Sequence, residues 1–242
     1  ETSNNYNGTF HNGNYRQTGD YIHIPNNSDF NTATSYDKKT FRIKFKTSND
    51  ISSRQVIYEQ GGVSNGLNLY LYDGKLYYGI WSEGSGWYWT SKNVSIDKNS
   101  KYTATFLCDN SNDLLEFYLN NNKISDINVT YKLNGHSGDI ALGGLINGTK
   151  FHDIDDYHSN YVGLFFEGKI YDFKYYNEQA LTPSEIEEKQ GILTTHYTFD
   201  DTNDSNILYD KTGNYNAQIY NGNYQTRKNY MEFDGTDDYV YF

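Results

Sequence analysis

The sequence predicts an all-β fold in which two antiparallel sheets pack as a β-sandwich and one short helix lies near residues 182–190. Three observations predict it. The 242-residue chain contains 26 tyrosines and 13 phenylalanines, which favour strands, and only two prolines. Runs that alternate between apolar and polar residues recur at the spacing of roughly 8–12 residues that is typical of sandwiches. Asparagine, glycine, serine and threonine separate these runs and predict loops.

The first half of the chain contains the clearest alternation. After a short strand at 20–24, residues 40–46 place apolar side chains on one face and basic side chains on the other, so one face is expected to be buried. The two sets are Phe41, Ile43 and Phe45, and Arg42, Lys44 and Lys46. Further strands are expected at 55–59, 67–72, 75–81, 87–91, 102–108 and 115–119, and near Val129 and Ile140.

Two short polar segments predict hairpin turns. Asp73-Gly74 lies between two alternating runs, which is the strongest short hairpin signal in the chain. Asn120-Asn121-Asn122 lies between two further strands and predicts a second hairpin. Residues 147–160 are expected to form a long loop.

The last strand of the main body and the helix that follows it are the best specified part of the chain. Tyr171, Phe173 and Tyr175 are expected to share one face, and Ile170 breaks that parity, which predicts a bulge near Asp172. The helix signals come next. Thr182 is the expected N-cap, Pro183 the first helical residue, Glu185 the partner in a capping box, Leu181 and Ile186 the hydrophobic staple, and Gly191 the end.

Charge and cysteine content exclude several classes of function. The formal net charge of −11 repels phosphate backbones and anionic lipid surfaces, so nucleic acid is not expected as a partner. No run approaches the roughly 20 apolar residues that a membrane helix requires, so membrane insertion is not expected either. Cys108 is the single cysteine, which excludes an intramolecular disulfide and a zinc site built of thiolates. It is expected to lie buried in the strand at 102–108.

Three segments resemble a known family. FEGKIYDFKYYNEQALTPSEI, at 166–186, is similar to the closing motif of concanavalin A-like, laminin G-like (LamG) jelly rolls. MEFDGTDDYVYF, at 231–242, resembles the early FDG-x-DDYV strand of this family, and LEFYLN, at 115–120, resembles its late strand. The resemblance implies a jelly roll that acts as an extracellular, lectin-like module binding glycan or protein, sometimes with calcium at the sheet rim. The superfamily also contains glycanases, so activity has to be argued from the site.

An internal repeat bears on the domain organisation. NYNGTFHNGNY, at 5–15, matches NYNAQIYNGNY, at 214–224, at seven of eleven positions. Residues 1–192 are therefore expected to form the laminin G-like domain, and residues 193–242 to be the start of a second copy or strands that complete the sandwich. A third possibility is that these strands pair with a neighbouring subunit, as in a polymer.

Catalytic carboxylates are not expected. Glycanases of this fold need two carboxylates about 5–5.5 Å apart, normally from an E-x-D-x-x-E strand. The nearest string runs from Glu232 through Asp234 to Asp237, so its last member is Asp, and it coincides with the structural turn of the family. The acidic residues at 185–188 are expected to be a solvated helix face. The chain is therefore not expected to be an enzyme.

Two segments are candidates for ligand binding. The aromatic residues Trp81, Trp87, Tyr88 and Trp89 could stack on sugar rings, or one pair could fill the core. The segment at 151–158 carries His152 and His158, which could contact a ligand. Between them, Asp153, Asp155 and Asp156 offer the hard oxygen ligands that Ca²⁺ prefers, although an acidic loop can also be merely solvated.

The leading hypothesis is a non-catalytic, extracellular recognition module that binds glycan or a cell-surface ligand within a larger adhesion protein on a cell or virion surface. The alternative is a structural repeat or polymer subunit that self-associates through the duplicated terminal strands. A glycanase is the third hypothesis. The residues do not identify the ligand.

Overall fold

The computed structural model of the chain contains two mainly antiparallel β-sheets and one short helix, so the predicted fold class is confirmed. The residues that the structure describes are 22–24, 30, 37–62, 64–82, 86–87, 93–128, 133–146, 148–158, 163–188, 194–198, 207–213, 216–220, 231–233 and 239–241. None of the helices in these ranges is long and apolar enough to cross a membrane.

The larger sheet contains ten of the described strands. In spatial order they are β16 (Ile207–Leu208), β17 (Ala217–Tyr220), β19 (Tyr239–Tyr241), β1 (Ile22–Ile24), β11 (Ile140–Leu142), β3 (Gln55–Gly61), β4 (Gly66–Tyr72), β5 (Lys75–Ser82) and β6 (Gly86–Trp87), with β7 (Asn93–Ser95) also paired to β5.

The smaller sheet contains seven of the described strands. In spatial order they are β10 (Asn122–Asn128), β9 (Leu114–Leu119), β8 (Lys101–Asp109), β2 (Lys38–Thr47), β14 (Gly168–Asn177) and β15 (Thr195–Tyr197), with β18 (Met231–Phe233) also paired to β14. A separate hairpin consists of β12 (Thr149–Phe151) and β13 (Ile154–His158), and the helix α1 is Pro183–Glu188.

Aromatic rings hold the two sheets together. Tyr58 of β3 packs on Phe41 of β2, with ring centroids 4.4 Å apart, and on Phe173 of β14 at 5.4 Å. On β5, Tyr78 stacks on Phe117 of β9 at 3.7 Å. The predicted apolar face of β2 lies in this interior, and so does Cys108. The odd-numbered face of β2 is therefore core, as expected, while its basic face points away from the interior.

Both predicted hairpin turns are present. Asp73 and Gly74 have φ angles of 49° and 72° and connect β4 to β5. Asn120 and Asn121 have φ angles of 51° and 65° and connect β9 to β10. Two successive positive φ angles are the signature of a type I′ turn, which matches the twist of the flanking strands.

The predicted bulge lies in β14, but one of its consequences was predicted wrongly. The register between β14 and β2 shifts between Ile170 and Asp172. Ile170, Phe173 and Tyr175 are all in the core, whereas Tyr171 is only partly buried and lies outside the core cluster. The extra residue of the bulge reverses the parity, so Tyr171 does not share a face with Phe173 and Tyr175.

The capping box at the start of α1 is also present. Thr182 Oγ1 accepts from the backbone N of Glu185 at 3.4 Å, and Glu185 Oε2 accepts from the backbone N of Thr182 at 2.9 Å. Leu181 and Ile186 pack together with Tyr176 as a small apolar cluster, which confirms the staple. This cluster holds α1 against the outer face of the smaller sheet. Gly191 lies outside the described residues.

Strands from the last fifty residues extend both sheets within the same chain. β15 and β18 pair with β14, and β19 pairs with both β17 and β1. The polymer alternative required such strands to pair with another subunit. The division at residue 192 into two sequence copies stays a prediction, since the pairing pattern is compatible with either reading of these strands.

The Asp73-Gly74 turn provides a direct test of the fold. We expect Gly74→Ala to lower the free energy of unfolding by about 1 kcal/mol, because a Cβ is disfavoured at positive φ and nothing lies within 4 Å of the position to compensate or clash. Asp73→Asn, which preserves the turn preference, is the control and should unfold at the wild-type urea midpoint. An unchanged midpoint for Gly74→Ala would show that β4 and β5 are joined differently.

Candidate ligand-binding site

The hairpin β12–β13 lies against the outer face of the larger sheet. Asn68 of β4 anchors it, because its Nδ2 donates to Thr149 Oγ1 at 3.0 Å and to the carbonyl of Lys150 at 2.6 Å. The side chains of Leu67, Leu69 and Leu71 belong to the core, so the residues that alternate with them face the hairpin. The prediction of a long loop at 147–160 is therefore wrong, since a polar row on β4 gives this segment a surface on which to form strands.

His152, at the tip of the hairpin, packs on tyrosines of the sheet. Its ring stacks on Tyr77 of β5, with centroids 4.0 Å apart and planes 12° apart. Tyr77 in turn stacks on Tyr70 of β4 at 5.1 Å, and Phe151 meets Tyr70 edge-on at 4.8 Å. These stacked rings fix the hairpin tip on the sheet.

A hydrogen bond to Tyr70 sets the state of the imidazole. Tyr70 Oη accepts from the backbone N of His152 at 3.2 Å and also bonds to His152 Nδ1. Desolvation lowers the pKa of His152, with Asp153 opposing that shift, and burial raises the pKa of Tyr70. The phenol is thus protonated and the imidazole neutral at pH 7. We assign the phenol proton to the bond with Nδ1, which leaves Nε2 as the protonated nitrogen of the ring.

Arg54 and Asp153 form the polar rim of this cluster. The guanidinium donates to both carboxylate oxygens, from Nη1 to Oδ1 at 2.9 Å and from Nη2 to Oδ2 at 2.7 Å. It also lies 4.2 Å from the ring centroid of Tyr72 and 4.3 Å from that of Phe151. Partial burial would raise the pKa of Asp153, but the hydrogen bonds and charge of Arg54 outweigh it and hold that pKa below its usual value. The guanidinium therefore contacts two aromatic rings while its fork of donors holds the carboxylate.

We name this group the rim cluster, defined as Arg54, Tyr72, Tyr77, His152 and Asp153. Its side chains are partly exposed except for that of Tyr77, and the most open is Asp153, whose side chain is 33% exposed. It presents an aromatic ring, a guanidinium, a carboxylate and an imidazole side by side. Such a set can stack on a flat apolar surface while exchanging hydrogen bonds with hydroxyl groups.

The structure separates the predicted site residues into three groups. Trp81 lies in the core at 1% exposure, with its Nε1 donating to the carbonyl of Gly62 at 2.9 Å, so its ring has no open face for stacking. A Cβ on Gly66 would lie 2.3 Å from that ring, which shows how closely the strand packs under it. Trp81 therefore fills the interior and is not available to stack on a sugar.

For most of the remaining predicted residues, the structure describes the backbone only or does not describe the residue at all. Trp87 pairs with Trp81 across β5 and β6, but its side chain lies outside the described residues, as do Tyr88 and Trp89. His158 pairs with Thr149 at the end of β13. The side chains of Asp155, Asp156 and His158 are also outside the described part, so their predicted roles stay predictions. His152 and Asp153 are the two predicted residues that the structure brings into the rim cluster.

The described residues do not offer a shell for Ca²⁺. Both carboxylate oxygens of Asp153 accept from Arg54, whose positive charge opposes a cation at this position. In the described ranges, no group of three or more His, Cys, Asp or Glu side chains converges on one point. The predicted Ca²⁺ site of Asp153, Asp155 and Asp156 stays a prediction, because the side chains of the last two lie outside the described residues.

The sequence reasoning missed Arg54, Tyr72 and Tyr77. A signal was present in the strand LNLYLY, at 67–72, where Asn68, Tyr70 and Tyr72 alternate with leucines and thus had to face away from them. Arg54 carried no such signal, because it precedes β3 and reaches the cluster only through the fold.

A buried carboxyl lies beside this site. Glu59 of β3 is the register partner of Asn68 and is fully buried, and neither of its side-chain oxygens has a hydrogen-bond partner among the described residues. Burial, and then the charge of Asp139, raise its pKa well above the usual value. The fold therefore buries a carboxyl that is costly to ionise beside Asn68, the residue that anchors the hairpin.

Comparisons with known proteins agree with the fold. No family model and no curated protein matches the chain. Among solved structures, a candidate carbohydrate-binding protein from Bacteroides ovatus is similar, with 16% identity, a TM-score of 0.56, and coverage of 83% of this chain and 56% of that one. The chain thus spans just over half the length of that protein. This likeness supports the sandwich architecture.

Two further solved structures are more distant. The CBM40 module of the Ruminococcus gnavus IT-sialidase, bound to α2,3-sialyllactose, has 14% identity and a TM-score of 0.41 over 72% of this chain and 97% of that one. Domain 4 of AbnA, an extracellular arabinanase from Geobacillus stearothermophilus, in complex with arabinotriose, has 17% identity and a TM-score of 0.46 over 69% of this chain and 70% of that one.

The carboxyl of Glu59 gives a prediction with a defined sign. Between the unfolded pKa near 4.5 and the higher folded pKa, the native protein holds a proton that the unfolded chain has lost, so stability falls as pH rises. Glu59→Gln abolishes this loss. We expect its stability advantage over wild type to grow with pH above 4.5, by up to about 1.4 kcal/mol per unit.

The measurement is urea unfolding of both proteins at pH 4, 5.5 and 7. The control is Glu188→Gln, which changes an exposed carboxylate on α1 and should follow the pH dependence of the wild type. Parallel curves for wild type and Glu59→Gln would show that Glu59 is ionised in the folded protein.

Proposed function

We propose that this chain is a non-catalytic glycan-binding module of an extracellular or surface protein, and that the rim cluster contacts the sugar. The single observation that carries the proposal is the arrangement of Arg54 between the rings of Tyr72 and Phe151 while it holds Asp153 in a bidentate ion pair. The β-sandwich shared with the Bacteroides ovatus protein supports it at the level of the fold.

The chemistry of the cluster fits neutral sugar hydroxyls. A hydroxyl can accept from Arg54 and donate to Asp153 at the same time, so the ion pair serves as a preorganised donor and acceptor. The half-buried ring of Tyr72 offers an apolar face beside this pair. His152 adds a neutral nitrogen donor, held by its bond to Tyr70. Little side-chain entropy is lost on binding, because these groups already support one another.

Binding should be measured by a glycan array, followed by isothermal titration of the best glycan against four variants. Tyr72→Ala and Asp153→Asn should each weaken binding about five- to tenfold, because a lost stacking or charged hydrogen bond is worth about 1–1.5 kcal/mol. Tyr209→Ala removes another half-buried tyrosine that is not in the rim cluster and should leave the affinity unchanged. His152→Gln keeps a donor and should lose less affinity than Tyr72→Ala.

Three outcomes would contradict the proposal. Silence on arrays that include microbial surface polysaccharides would contradict glycan binding itself. Wild-type affinity in both Tyr72→Ala and Asp153→Asn would place the site elsewhere. Release of reducing ends from a bound glycan would show a glycanase, which remains the alternative activity for this fold.

A further inference from the structure

The outer face of the smaller sheet is divided into a covered half and an open half. Thr40 of β2 marks the covered half, where its Oγ1 donates to the carbonyl of Gln179 at 2.9 Å and accepts from the backbone N of Leu181 at 2.8 Å. Arg42, two residues along the strand, donates to Glu187 of α1 at 3.0 Å. From Lys44 onwards the helix no longer covers the strand, and the surface of the sheet forms a groove of about 280 Å³.

We name this the basic groove, and its composition differs from that of the protein as a whole. Its lining consists of Lys44, Phe45, Lys101, Tyr102, Thr103, Asn120 and Tyr171. Two of these residues are lysines and none is acidic, although the chain has 31 acidic residues against 20 basic ones. Within the part of the chain that the structure describes, no acidic side chain lies within 4 Å of the ammonium of Lys44, Lys46 or Lys101.

The strand register concentrates further positive charge beside the groove. Lys46 of β2 is the direct partner of Lys101 on β8 and of Lys169 on β14, so three lysines lie in one row across three strands. Neighbouring strands are about 4.8 Å apart, and like charges directly opposite each other destabilise a sheet. Lys44 lies on the same face one alternation away, next to this row. Acidic residues of the chain lie opposite two of these lysines, since Asp172 is the register partner of Lys44 and Glu232 that of Lys169. Lys46, with a lysine on each side, is therefore the most positive position of the row.

The bulge of β14 adds an aromatic ring to the lysines. Because the register shifts between Ile170 and Asp172, Tyr171 leaves the core side and lines the groove. The Nζ of Lys101 lies 4.8 Å from the centroid of its ring. At the other end, Asn120 accepts from the backbone N of Thr103 through Oδ1 at 2.9 Å, which orients the side-chain amide at the edge of the groove.

We propose that the basic groove binds a carboxylated polysaccharide, with its lysines pairing with uronate carboxylates and Tyr171 packing on a sugar ring. The groups match such a chain: the ammonium of a lysine suits a single carboxylate, the tyrosine ring suits an apolar sugar face, and the Thr103 hydroxyl and Asn120 amide suit sugar hydroxyls. This surface lies on the opposite sheet from the rim cluster, so the proposal goes beyond the proposed function and does not rest on it.

The aromatic rings at the groove favour this ligand over a single-stranded nucleic acid. Acidic residues far from the groove act weakly on it, because fields decay over roughly 8 Å at physiological salt, whereas Asp172 and Glu187 lie close enough to Lys44 to lower the positive potential there. A single-stranded nucleic acid would require successive aromatic platforms for its bases, whereas Tyr102 packs on Phe45 against the core and leaves the ring of Tyr171 to line the groove.

The test uses the full chain and three probes: polygalacturonate, its methyl ester and double-stranded DNA. We expect polygalacturonate to bind at 50 mM NaCl and to bind at least tenfold more weakly at 300 mM. The methyl ester has the same sugar without the charge and should not bind measurably. The DNA should bind at least tenfold more weakly than polygalacturonate. Affinity electrophoresis and isothermal titration provide the readouts.

Variants locate the binding surface. The double variant Lys44→Gln/Lys101→Gln should weaken polygalacturonate binding at least tenfold, and Tyr171→Ala several-fold. Lys75→Gln/Lys211→Gln is the matched control, because it removes the same two charges from the larger sheet and from an exposed turn. It should retain wild-type affinity. The first double variant should unfold near the wild-type temperature, because exposed charge interactions contribute little to stability, and this measurement separates lost binding from lost folding.

The proposal is overturned by wild-type affinity in Lys44→Gln/Lys101→Gln, by an equal loss in the control pair, by DNA binding as tight as that of polygalacturonate, or by no salt-dependent binding to polygalacturonate. Tyr72→Ala distinguishes the two surfaces. It should leave polygalacturonate binding unchanged while it weakens binding of a neutral glycan at the rim cluster, so either proposal can fail without the other.

Discussion

The structure depends on the packing of two sheets through rows of aromatic side chains. Tyr58 and Tyr78 reach from the larger sheet to Phe41, Phe173 and Phe117 of the smaller one. Because side chains alternate along a strand, the residue next in sequence to each buried ring points to an outer face. The two outer faces are thus defined by the core, and they are the surfaces on which a ligand can act.

The two outer faces are covered differently. On the larger sheet, the hairpin β12–β13 is held by Asn68 and by the stack of His152 on Tyr77, and its edge forms the rim cluster. On the smaller sheet, one half is covered by α1, which Arg42 contacts, and by the segment just before it, which Thr40 contacts; the basic groove is the half left open. A helix of six residues cannot cover strands of nine and ten residues. On each face, the proposed binding surface lies at the edge of the element that covers the sheet.

Polar groups at these faces differ in how they are satisfied. Arg54 and Asp153 satisfy each other in a bidentate pair that leaves room for further hydrogen bonds. Glu59, on the same face of the larger sheet, is fully buried and has no hydrogen-bond partner among the described residues. The first arrangement prepares a surface for a ligand. The second costs folding free energy at neutral pH, since ionisation of a buried carboxyl is unfavourable.

Local patterns in the sequence determined the elements of this protein, and tertiary contacts decided what those elements do. The alternation in β2, the two type I′ turns, the bulge at Asp172 and the capping box at Thr182 were all predictable, because each depends on residues within a few positions of one another. The partners of His152 and Asp153 were not, since Arg54 and Tyr77 lie far away in sequence. Trp81 became core because Gly66 of the next strand lets its ring pack closely. The register of the strands likewise brings separate lysines together on one surface of an acidic protein. The composition of the chain does not predict this, because it does not determine which strands pair.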